Sequence, residues 1–180
     1  MTHPDQIRAL ITRLARLDAS ETWDDALNPA QVAALDYLSR ANRFSRAPSH
    51  VADYLGTTRG TTSQTLKALA RKGYVRERRS ETDKRSISYE LTEAGRALAG
   101  RSRALEAAIN TMPDIEQTRL GDSLSALLAR QLRENGGRPF GLCKTCAHHR
   151  VTERGLQCAL LSLPLWPEEA EQICHEQTAA

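Results

Sequence analysis

The chain has 180 residues, 25 Lys and Arg against 22 Asp and Glu for a net charge of +3, and is 40% hydrophobic but only 4% aromatic. That suits one compact body with an appendage, or two small units, and leaves too few aromatic rings for a single-strand stacking platform. No apolar run approaches the roughly 20 residues of a membrane span, and the opening Thr2-His3-Pro4-Asp5 stretch lacks the apolar core of a secretory signal, so a cytoplasmic protein without membrane contact is expected.

In chain order, Ile7, Leu10, Ile11, Leu14 and Leu17 recur at helical spacing and predict a helix over 4–19. Asn28-Pro29 reads as a helix start, Asn28 as N-cap and Pro29 at the first helical position. Val32, Leu35 and Leu38 carry that helix to about Asn42. Pro48 and Ser49 open a short third helix with Val51, Ala52 and Leu55 inward, and Gly56-Thr57-Thr58 turns the chain. A fourth helix over 59–72 buries Thr62, Leu66 and Leu69, and Gly73 ends it. The period then changes. Residues 74–79 read as a strand, 80–85 as a polar turn, and Ile87, Tyr89 and Leu91 alternate with Ser86, Ser88 and Glu90 as the returning strand. Thr92 caps a long fifth helix to about Met112, and Pro113 starts a sixth with Leu120, Leu124, Leu127, Leu128 and Leu132 on one side. Helix, turn, helix, hairpin is the winged helix-turn-helix order. The expected fold is mainly α, with a small β-hairpin wing, a helical dimerisation region and a C-terminal cysteine-rich segment.

Charge is unevenly distributed. Residues 58–103 hold 12 Lys/Arg and 5 Asp/Glu, whereas residues 140–180 hold 3 and 5. A local basic excess is what a phosphate-binding surface needs. The fourth helix offers Arg59, Thr61, Ser63, Gln64 and Lys67 outward, side chains that reach base edges and phosphates from the major groove. Arg78, Arg79, Lys84 and Arg85 cluster around the hairpin tip, where a basic finger can meet phosphates or the minor groove. Plain solvated charge on a surface helix and turn is the bland alternative.

The stretch Leu55-Gly56 through Leu66-Lys67-Ala68-Leu69-Ala70-Arg71-Lys72-Gly73-Tyr74-Val75 resembles the recognition helix and strand entry of the MarR family. Asp83-Lys84-Arg85 followed by Leu91-Thr92-Glu93-Ala94-Gly95 resembles that family's wing and the start of its next helix. The resemblance covers residues 27–100. It implies a transcriptional regulator bound to double-stranded DNA, with Asp83 bracing Arg85 through a charge-assisted hydrogen bond. It also implies a homodimer built on the first, fifth and sixth helices. Two linked recognition helices would then address a pseudo-palindromic operator with half-sites about one turn apart.

All four cysteines follow residue 142, spaced Cys143-x2-Cys146-x11-Cys158-x15-Cys174, with His148, His149 and His175 nearby. The chain therefore divides into residues 1–135, holding the helix-turn-helix at about 48–72 and the wing at about 74–91, and a cysteine-rich segment over 136–180. Clustered cysteines in a reducing compartment suggest metal binding rather than disulfides. Four thiolates suit either an iron–sulfur cluster or zinc. Only Cys143-Lys144-Thr145-Cys146 is a knuckle, and Cys158 and Cys174 stand on apolar stretches, which favours iron–sulfur; zinc stays open. The histidines read as neighbours of the ligands, with His149 or His175 as substitutes should one cysteine prove free. About 40 residues bury too little apolar area to order alone, so metal would supply the missing free energy.

These readings converge on a redox- or metal-responsive dimeric repressor with an iron–sulfur cluster that acts near the sixth helix. The alternative is a regulator with a structural zinc and a small-molecule effector. An iron–sulfur electron carrier would leave the basic wing unexplained. No hydrolase triad or phosphate loop stands out, so no enzyme is expected; Ser49, although beside His50, and Ser63 read as caps or phosphate donors rather than nucleophiles.

Overall fold

The computed structural model describes residues 2–21, 27–79, 86–101 and 103–178. Helix α1 (His3–Ser20) begins at Thr2, whose hydroxyl accepts from the Asp5 N–H while the Asp5 carboxylate accepts from the Thr2 N–H. Helix α2 (Pro29–Arg40) starts where the sequence predicts, with Asn28 and Gln31 exchanging the reciprocal bonds of a capping box and Pro29 needing no donor. A 3-10 turn (Arg43–Ser45) leads into α3 (Pro48–Leu55). Helix α4 (Arg59–Arg71) follows, capped by the Thr58 hydroxyl on the Thr61 N–H. Gly56 and Gly73, at φ +63 and +78, let the chain leave α3 and α4 in the left-handed region.

Strands β1 (Val75–Arg79) and β2 (Ile87–Leu91) pair antiparallel, with Val75 opposite Leu91 and Arg79 opposite Ile87. The Thr92 hydroxyl donates to the Gly73 carbonyl at 2.7 Å and caps α5 (Glu93–Ala99) by accepting from the Gly95 N–H. Gly95 is forced to be glycine, because a Cβ there would run into the Tyr74 carbonyl oxygen.

The core is continuous across this unit: Val32, Leu35, Tyr37 and Leu38 of α2 meet Val51 of α3, Leu66 and Leu69 of α4, and Val75, Tyr89 and Leu91 of the hairpin. Each such side chain contributes about 1.5–3 kcal/mol on burial. Thr62, at the foot of the α4 stripe, is buried with them, as its spacing predicts.

One expectation fails. The long fifth helix is two, α5 and α6 (Ala104–Asn110). Arg103 leaves helical geometry at φ −112, ψ 155 and spans Asp18 of α1 (3.1 Å) and Asp36 of α2 (2.6 Å). Gly100, a residue type that weakens a helix interior, caps α5, and the two ion pairs hold Arg103 out of helical geometry.

Helix α7 (Asp114–Asn135) then runs outward. None of its residues and none of those of α1 is buried, and Ile7, Leu10, Leu14, Leu17, Leu120, Leu124, Leu127 and Leu128 are all at least 40% exposed. No helix among the described residues is long and apolar enough to cross a membrane.

The final segment is more ordered than a tail. Strand β3 (Gly141–Leu142) pairs with β7 (Ile173–Cys174), and β4 (His149–Thr152), β5 (Gly155–Cys158) and β6 (Leu163–Pro164) form a second small sheet. The segment docks on the turn between α2 and α3, not on the C-terminal helix that leads into it. Ala41 forms a parallel bridge to Ile173, and the Asn42 N–H donates to the Ile173 carbonyl at 2.9 Å.

Candidate nucleic-acid interface and thiol cluster

Helix α4 presents Arg59, Thr61, Gln64 and Lys67 to solvent, with Ser63 half-buried beside them. Its opposite face, Thr62, Leu66 and Leu69, is fixed in the core, so the outer face cannot rotate without unpacking the domain. The Thr61 hydroxyl is within 2.9 Å of the Thr58 hydroxyl, which occupies it locally, whereas Gln64 is exposed and available to a ligand.

On β1, Arg78 is 55% exposed and bonds the Glu90 carboxylate at 3.1 Å; Arg79 is 66% exposed and bonds Glu77 at 3.2 Å. Arg76, which sequence reading passed over, meets Glu90 directly across the ladder at 2.8 Å. Glu90 is therefore held below the usual carboxylate range by Arg78 and Arg76, in spite of its partial burial. Exposed pairs of this kind are worth about 0–1 kcal/mol. Such arginines can exchange a carboxylate for a phosphate at small cost. Asp83, Lys84 and Arg85 lie outside the described residues.

The four cysteines come together although the first and the last are 31 positions apart in sequence. Cys143 opens a 3-10 turn and Cys146 closes it, the Cys146 N–H donating to the Cys143 carbonyl at 3.0 Å. Cys158 ends β5 opposite His149, and Cys174 lies in β7 opposite Gly141. All four line one cavity, walled by Phe44, Leu160, Leu161 and Leu165, with His148, His149 and Asn42 at its edge.

Cys143, Cys146 and Cys174 are buried and Cys158 half-buried. Burial, and then the neighbouring Cys174, Cys158 and Cys146, push the Cys143 thiol up to about 11. Burial raises Cys174 as well, opposed by the Asn42 side chain, the Glu176 N–H and the Ser45 hydroxyl. Four thiolates here would repel one another in a dry site unless a cation joined them. The His149 Nε2 is buried with no hydrogen-bond partner among the described residues. Among those residues no three His, Cys, Asp or Glu side chains form a ready site for a single metal ion.

Between the thiol cluster and the helix-turn-helix lies a polar seam. The Arg43 guanidinium bonds the Glu169 carboxylate at 2.7 Å and the Pro164 carbonyl at 2.6 Å, and stacks over the rings of Phe44 and Trp166. Ser45, fully buried, donates to Asn42 Oδ1 at 2.7 Å and accepts from the His175 N–H at 2.9 Å. Its carbonyl takes the Tyr37 hydroxyl at 2.7 Å. The His50 ring of α3 stacks on His175 with centroids 3.5 Å apart. Sequence reading missed these residues as partners. Asn42, Arg43 and Ser45 look like ordinary loop residues, and their partners lie more than 120 positions away.

The sequence profile of the MarR family matches residues 27–86. A comparison with curated protein sequences finds no match. Among solved structures, a Staphylococcus aureus MepR–DNA complex is 18% identical over 72% of this chain and 98% of its own, with a TM-score of 0.58. Streptococcus pneumoniae FabT in complex with DNA is 23% identical over 73% and 95%, with a TM-score of 0.56. A MarR transcriptional regulator from Methanosarcina mazei Go1 is 24% identical over 72% and 98%, with a TM-score of 0.58. At these identities the likeness is one of fold. Over residues 27–86, from α2 through α4 and into the wing, this chain is similar in sequence pattern and fold to the winged helix-turn-helix of the MarR family.

Proposed function

We propose that the chain is a DNA-binding transcriptional regulator that works as a homodimer, and that its four cysteines hold an iron–sulfur cluster to which DNA binding responds. The observation that carries the first part is the α4 face of Arg59, Gln64 and Lys67, rigidly backed by the core and flanked by the exposed arginines of β1. The MepR and FabT structures that share the fold are complexes with DNA. The exposed leucine stripes of α1 and α7 supply the apolar surface that a partner copy would bury. The reading assigns no catalytic step.

Support for a cluster comes from the donor set and the cavity. Four thiols face one void with apolar walls. The uneven spacing of the four thiols and the apolar walls around them favour a shielded cluster over a paired-knuckle zinc site. Cys143, Cys146, Cys158 and Cys174 are the holders. An iron–sulfur cluster supplies reversible electron exchange and sensitivity to oxidants. The chain's own contribution is to shield the thiols with Phe44 and the buried Leu165.

Two measurements test the reading. Fluorescence anisotropy on genomic duplex fragments should show binding that weakens steeply as salt rises; no binding at low salt rejects the regulator. Metal and sulfide analysis of protein purified without oxygen should find iron with sulfide. Zinc alone would move the centre to a structural role, with a small-molecule effector left to regulate the dimer.

A further inference from the structure

The thiol cluster and the helix-turn-helix are joined by one short stretch of chain, and its geometry determines where a change at the cysteines is felt. Cys174 lies in β7. Its neighbour Ile173 forms the bridge to Ala41 and accepts the Asn42 N–H. His175, its other neighbour, gives its N–H to Ser45 and stacks on His50 in the first turn of α3. Ala41, Asn42 and Ser45 are each no more than 1% exposed, so none of these contacts can be replaced by water without opening the core. The Asn42 amide nitrogen is buried, meets no well-aligned acceptor among the described residues, and lines the thiol cavity beside Cys174. Arg43 and Glu169 clamp the same turn from the other side.

We propose that the state of the cysteine centre is transmitted to the recognition helix of the same protomer through the 41–50 stretch, with Asn42, Ser45 and His50 as the positioning residues that carry it. The proposal rests on the reading of the four cysteines as a metal centre. It differs from a route through the long C-terminal helix: α7 leads into the segment covalently, but the buried contacts of Cys174 and its neighbours run to the α2–α3 turn. When the centre is lost, Cys174 is no longer held from the sulfur side. The displacement is passed through His175 and Ile173 to the entry of α3, and α3 packs directly on α4. Closely packed polar contacts of this kind have discrete arrangements, which suits them to a two-state response.

The test compares full-length protein with its centre intact and after removal of the metal by an iron or zinc chelator. The unmodified dimer should change its Kd for duplex DNA by at least about tenfold between the two forms, a shift within the usual range of allosteric coupling. His50→Ala and His50→Leu, which remove the ring stack on His175 without touching the thiol cavity, should keep the metal and bind DNA, but reduce that ratio to about twofold or less. A variant with full metal content and an undiminished ratio overturns the proposal. An unmodified protein that holds metal but shows no ratio overturns it while leaving the metal reading standing. Protein that takes up no iron, sulfide or zinc brings down the metal reading and the proposal with it. Should either variant lose its metal, amide exchange on the unmodified protein decides. Faster exchange over residues 41–55 on metal removal supports the route; changes confined to 140–178 or to α7 refute it.

Discussion

Removing the Arg43 side chain probes what fastens the cysteine segment to the winged helix. In the folded protein the Glu169 carboxylate is 1% exposed and bonds both Arg43, at 2.7 Å, and the Trp166 N–H, at 2.8 Å. Its other oxygen, Oε1, is buried without a hydrogen-bond partner among the described residues. Arg43→Ala therefore strands a buried carboxylate on one amide donor. Breaking a fully buried pair by removing one partner costs roughly 3–5 kcal/mol. Arg43 is 28% exposed, so water can enter in its place and the electrostatic part falls to about 2 kcal/mol. Losing the guanidinium over Phe44 and Trp166 adds about 0.5–1 kcal/mol. The sum is about 3 kcal/mol. If segment and body unfold together, that lowers Tm by about 6–12 °C for a chain of this size. Urea unfolding with limited proteolysis of residues 140–178 measures both the loss and its location. The double variant Arg43→Met/Glu169→Leu should recover most of the loss, because it leaves no charge unpaired. If Arg43→Ala unfolds within about 0.5 kcal/mol of the parent, the ion pair is not what fixes the segment and the argument from burial is wrong.

Three further outcomes follow from other parts of the structure. Gly95→Ala should destabilise the winged helix by about 3 kcal/mol in urea, because the new methyl meets the Tyr74 carbonyl, backbone that cannot swing aside; wild-type stability would show that α5 can shift away from β1. Gln64→Ala, on the exposed face of α4, should relax base preference at one or two positions per half-site without abolishing binding, and a base-substitution profile identical to the parent's removes Gln64 from readout. Cys158→Ser should release most of the bound metal and loosen residues 140–176 while residues 1–135 stay folded, measured by metal content and proteolysis; full metal retention would show that the centre does not need a fourth thiol.

The winged-helix body was readable from sequence because its signals are local. Asn28-Pro29 caps a helix wherever it lies, Thr62, Leu66 and Leu69 bury one face by spacing alone, and the alternation of Ile87, Tyr89 and Leu91 sets the returning strand. The cysteine pattern likewise marked out the residues that line one cavity. What tertiary structure alone decided depends on partners far apart in the chain. The sequence reading carries one helix from Thr92 to about Met112, but there are two, and Arg103 at the break pairs with Asp18 and Asp36, far off in the chain. No spacing rule links Ser45 to His175 or Arg43 to Glu169 across more than 120 residues. A polar residue in a loop is neutral in sequence until burial makes its hydrogen bond obligatory, and burial is a property of the folded whole. For this reason the sequence identifies a helix-turn-helix and a set of thiols, and only their packing shows that the two meet at the turn before α3.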